Sequence, residues 1–97
     1  MNVGLCRVTF QLPENETLKG KRQFSRSLID RVHNRFNVSI AEIENNDHHQ
    51  ILTLGVSCVS NEGRHANQVL SSVINFLSDN QGDGQLLDYE IEIVSAF

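Results

Sequence analysis

Ninety-seven residues, 39% hydrophobic and 21% charged, describe one small domain over residues 1–97 and leave no room for a second. A chain of this size hides roughly 60–65% of its unfolded surface, enough for one two-layer core but not for a deep enclosed active site. Its longest apolar runs fall far short of the ~20 residues that span a bilayer, and six glycines with one proline exclude collagen and low-complexity chains.

The net charge of −4 is unevenly spread. Lys19, Lys21, Arg22, Arg26, Arg31 and Arg35 face Asp30 alone within seventeen residues, a local charge of +5 that leaves −9 for the remainder. An acidic protein is repelled by polyanions at long range, yet a local cationic patch can still dock a phosphate backbone. Cys6 and Cys58 each sit in an alternating apolar run with no CxxC neighbour, and read as small buried hydrophobes rather than a disulfide or zinc pair. The first residues lack the basic and apolar blocks of a secretory leader, so a cytoplasmic protein is expected.

In chain order, Val3 to Leu12 alternates with Cys6, Val8, Phe10 and Leu12 on one side, which predicts a strand with one buried face. Pro13 and the polar Glu14-Asn15-Glu16 end it. From Leu18 to Phe36 the period becomes helical, with Leu18, Phe24, Leu28, Ile29, Val32 and Phe36 on one arc and Thr17 as N-cap. Lys19, Arg22 and Arg26 flank that arc on one side, Arg31 and Arg35 on the other, and Lys21 projects over it near its start, where it must snorkel or reach out beyond the sheet. Gly20 weakens the first turn by roughly 1 kcal/mol relative to alanine.

Val38 to Glu44 is rich in β-formers, but Val38, Ile40, Glu42 and Glu44 share one parity and Ile43 has the other, which a bulge or a two-sided start would reconcile. A polar turn through His48-His49 leads to Gln50–Val59, with Leu52, Leu54, Val56 and Cys58 on one face. Ser60 or Asn61 caps a second helix whose arc is Ala66, Val69, Leu70, Val73, Ile74, Phe76 and Leu77. After a glycine-bearing loop, Leu86–Val94 predicts a last strand with Leu87, Tyr89, Ile91 and Ile93 inward and Asp88, Glu90 and Glu92 outward. The order β-α-β-β-α-β is that of an α+β, ferredoxin-like split βαβ domain. Its crossovers place the first and third strands centrally in a four-stranded antiparallel sheet with both helices on one face.

Thr17-Leu18-Lys19-Gly20-Lys21-Arg22, Arg35-Phe36-Asn37-Val38-Ser39-Ile40-Ala41-Glu42, Leu54-Gly55-Val56 before Val59-Ser60-Asn61, and Leu86-Leu87-Asp88 resemble the YlxP-like family of small bacterial proteins. The resemblance runs in the same order over nearly the whole chain. It implies a ferredoxin-like fold, no established enzymatic activity, and genes placed among those for translation initiation and ribosome maturation factors, hence an association with RNA or ribosomes. Gly20, and His48-His49 before Gln50, depart from the residues usual there.

Base stacking on the sheet needs aromatics on the open face of the central strands, and Leu5, Arg7, Thr9, Ile51, Thr53, Ser57 and Val59 supply none. Glu42, Glu44, Asp88, Glu90 and Glu92 are expected beside them. Metal-ligand spacing, a Gly-x-Ser-x-Gly elbow and phosphate-binding glycine loops are absent, so neither an enzyme nor a cofactor is expected. What remains is a non-enzymatic accessory protein that binds RNA or ribosomal particles through Lys19, Lys21, Arg22, Arg26, Arg31 and Arg35. The alternative is a homodimeric or regulatory module that uses the open sheet face, where Leu5, Ile51 and Val59 lie.

Overall fold

A computed structural model describes residues Met1–Phe97. Six elements follow one another: β1 (Asn2–Gln11), α1 (Leu18–His33), β2 (Ser39–Glu44), β3 (Ile51–Ser60), α2 (Gly63–Asp79) and β4 (Gln85–Ser95). The strands form one antiparallel sheet in the order β2-β3-β1-β4, the split βαβ arrangement the periodicities require.

The inward parity of β1 and β3 builds the core floor. Cys6, Val8, Phe10 and Leu12 meet Leu52, Leu54, Val56 and Cys58, all buried, beneath Leu28 and Val32 of α1 and Ala66, Leu70, Val73, Ile74 and Leu77 of α2. Burying sixteen such side chains supplies the principal favourable term of folding. Phe24 reaches from α1 to Phe10, edge to face at 6.0 Å, and Phe36 meets Phe76 of α2 at 5.7 Å. Gly84 closes the loop before β4 against this aromatic corner: a Cβ there would lie 2.7 Å from Phe24 Cζ and 2.9 Å from Leu12 Cδ2.

Thr17 caps α1 as its residue type predicts, its hydroxyl accepting from the Gly20 amide at 2.9 Å. Gly20 is no mere weak point, because the Asn15 side chain occupies the space a Cβ would need. Asn15 Nδ2 donates there to Thr17 O at 2.7 Å and to His49 O, tying the helix start to the β2–β3 loop.

Four local expectations need correction. Regular helix ends at His33 with Asn34 as C-cap, so Arg35 and Phe36 lie in the following turn, where Phe36 folds back onto Phe76. Neither Ser60 nor Asn61 is the cap of α2. Ser60 ends β3 and its hydroxyl accepts from the Glu62 amide at 3.1 Å, which delays the helix until Gly63.

The two remaining corrections come from bulges. In β4 the register shifts where Leu86 and Asp88 face Phe10 and Thr9, so Leu86 takes the core position and Leu87 is 52% exposed. Tyr89 keeps the helix-facing parity of its partner Val8 but stays 49% exposed on the edge strand. In β2 the register shift falls between Glu42 and Glu44, so of the two ways to reconcile its parity the strand takes the bulge, at Ile43. Glu42 precedes the shift and points with Ile40 toward the helices, not onto the open face.

Candidate functional site

The six candidate cations do not share a surface. At 100° per residue Lys21 falls in the middle of the buried arc of α1, with Ser25, Leu28 and Val32. It is 1% exposed, and its ammonium donates to the carbonyls of Asn45 at 2.7 Å, Asn46 at 3.2 Å and Ile51 at 3.2 Å. Those three bonds use all three protons. Glu42 Oε2, 2.8 Å away, therefore serves as counter-charge without receiving a hydrogen bond of good geometry. Lys21 is a structural cation that pins the β2–β3 loop to α1, and it leaves the set of residues able to meet an outside anion. The snorkelling its position demands leads inward to a carboxylate instead of outward to water.

Lys19, Arg22 and Arg26 are exposed and follow one another at spacings of three and four along one flank of α1. Arg31 lies on the opposite flank and donates Nε–H to Ser27 O at 3.3 Å. Arg35, beyond the helix, holds its guanidinium 5.2 Å from the centroid of the Phe76 ring. The molecule's three ion pairs involve none of these five exposed cations. The first turn of α1 contains no acid, so the helix dipole and Lys19 act together on whatever approaches that end.

The open sheet face has the opposite character. Arg7 sits in register with Glu90 and donates to it at 3.0 Å and to Glu44 at 3.4 Å. Glu90, and then Glu44, hold its guanidinium above its already high range. Asp88 and Glu92 have no cationic partner, which leaves four acids and one arginine across this face. No aromatic side chain shares the parity of Leu5, Arg7 and Thr9, so a base-stacking platform is missing. A shallow groove of about 860 Å³ crosses the face over Gly55, Ala41 and Ser57, with Leu5 and Ile43 beside it.

Both thiols lie in the core, on neighbouring strands. Cys6 and Cys58 are free, and burial pushes the Cys6 thiol up to about 11. Cys58 Sγ is 3.8 Å from Ala66 O. His48 Nδ1 accepts from the Gln50 amide at 3.2 Å, and His65 Nδ1 pairs with the Ser60 hydroxyl at 3.2 Å, both within local turns.

Glu42, expected on the open face, is instead the partner of Lys21, and a signal for this exists in the sequence. Lys21 breaks an apolar helical arc, Glu42 breaks an apolar strand parity, and the two misfits face one another.

Residues 3–91 match the family described as Protein of unknown function (DUF503), and the chain belongs to that family. It is also similar to the "Uncharacterized protein YlxP" of Bacillus subtilis (strain 168), 36% identical over 61 residues. That match covers 63% of this chain and 66% of the relative, just under two thirds of its length.

Proposed function

We propose that this protein is a non-enzymatic accessory factor of the cytoplasm that binds RNA or ribosomal particles through the outer flank of α1. One observation carries the reading: Lys19, Arg22 and Arg26 are exposed, aligned along about 10 Å of helix, and paired with no carboxylate. Cations held together without counter-charges are stabilised by an anionic partner, and an aligned row suits successive phosphates. Arg31 and Arg35 widen the field without joining the row.

Self-association through the open sheet face has less behind it. Leu5 and Val59 are exposed there, but stacking two copies would bring four acids against four.

The test is co-sedimentation with ribosomal particles from the native cells at low and high salt, comparing wild type with Lys19→Glu/Arg22→Glu/Arg26→Glu. All three positions lie off the buried arc, so the variant keeps its fold. Wild type is expected in the particle fraction at low salt and free at high salt, with the variant free at both. A folded variant that sediments like wild type overturns the reading.

A further inference from the structure

We propose that the free edge of β4 is a docking site for an extended segment of another protein in which basic and apolar residues alternate. β4 is eleven residues long, pairs with β1 on one side and with no strand on the other. Such an edge presents unpaired amides and carbonyls as a template for one more strand. The opposite edge, β2, is six residues long and bulged at Ile43, a poorer template.

The two sides of β4 define what the added strand must carry. On the open face Asp88, Glu90 and Glu92 form a stripe at every second residue, of which only Glu90 has a cationic partner. On the helix side Tyr89 stands half exposed, with Leu87 exposed at the bulge beside it. A neighbouring strand places its own side chains alternately on these two faces. Lysine or arginine at one parity therefore meets the acids, and valine, isoleucine or phenylalanine at the other covers Tyr89.

A second copy of this chain does not meet that requirement. Antiparallel β4–β4 pairing centred on Glu90 sets Glu90 against Glu90 and Asp88 against Glu92. Like charges directly opposite destabilise a ladder. The same stripe that recruits a basic strand thus guards the edge against self-pairing.

The experiment uses the full chain and a blocked, fluorescently labelled nonapeptide alternating lysine and valine, titrated by anisotropy. Amide exchange of β4 is followed in parallel. Binding is expected, with new protection of those β4 amides that face away from β1. Glu90→Gln/Glu92→Gln is expected to weaken binding at least tenfold. A peptide N-methylated on its β4-facing amides keeps the charge but loses the ladder, and is expected to bind at least tenfold more weakly. Failure of the parent peptide to bind overturns the proposal. Equal binding of the N-methylated peptide does so too, since it would show charge attraction without strand addition. Sedimentation of wild type alone as a dimer with β4 already protected would assign the edge to a second copy and equally overturn it.

Discussion

Lys21 Nζ lies 2.8 Å from Glu42 Oε2 in the interior, with three main-chain carbonyls around the same ammonium. Removing one member of such a pair leaves an uncompensated charge and unpaired acceptors away from water. Lys21→Met is therefore expected to cost about 3–5 kcal/mol of stability. A denaturant titration read by circular dichroism measures it. Adding Glu42→Leu is expected to recover part of the loss, since the two substitutions share one interaction. An unchanged midpoint for the single variant would show that the loop is held without its cation.

The Cys6 thiol carries a pH dependence of definite sign. Burial raises its pKa from 9.0 to about 11, so the unfolded chain loses this proton first. The contribution is fully present below pH 9 and is lost as pH climbs toward 11. Stability is expected to fall across that interval, and less steeply in Cys6→Val. Thiol reagents should label both cysteines slowly at neutral pH in the native protein and rapidly in denaturant. Fast native labelling would contradict their burial.

Gly84→Ala and Gly55→Ala form a contrasting pair. The new methyl at position 84 meets Phe24 of α1 and Leu12, both packed in the core, and the Gln81 main-chain carbonyl. Overpacking of this kind costs about 1–3 kcal/mol. At position 55 the methyl meets the Ile43 side chain, which is half exposed and free to move. Thermal melts are expected to separate the two, with Gly84→Ala clearly lower and Gly55→Ala close to wild type.

Arg7 is held by carboxylates on the exposed face and serves them as a counter-charge. Arg7→Ala is expected to leave the melting temperature almost unchanged, as for other solvent-exposed pairs. The freed Glu44 and Glu90 make the face more acidic, so the lysine–valine peptide is expected to bind several-fold tighter. Weaker peptide binding would mean that Arg7 itself contacts the added strand.

Salt dependence counts the phosphate contacts of α1. Three cations predict a slope of log affinity against log salt of about −2 to −3. Lys19→Gln is expected to make that slope shallower by roughly one contact. Arg35→Gln, remote from the stripe, is expected to leave it unchanged. A slope unaffected by Lys19→Gln would remove that residue from the contact.

The period-2 runs of Cys6 to Leu12 and Leu52 to Cys58, and the period-3.6 run through Leu28 and Val32, determined the element order and the core by themselves. They suffice because burial of one face is decided by the local repeat alone. The break in parity at Ile43 was legible for the same reason, but that a bulge and not a two-sided start resolves it was decided by pairing with β3. The fate of the six cations was not legible. The position of Lys21 over the apolar arc was legible, but not its partners: β2 brings Glu42, and the β2–β3 loop its carbonyls, to the ammonium, contacts between residues more than twenty positions apart. Arg35 likewise belongs to the helix by period, yet the turn after His33 sets it over Phe76. The bulge at Leu87 gave no local sign either, because either Leu86 or Leu87 could fill the core position opposite Phe10. Sequence repeats specify which way a side chain points from its own element. Which charge it meets there depends on how distant elements pack, and tertiary structure alone supplied that.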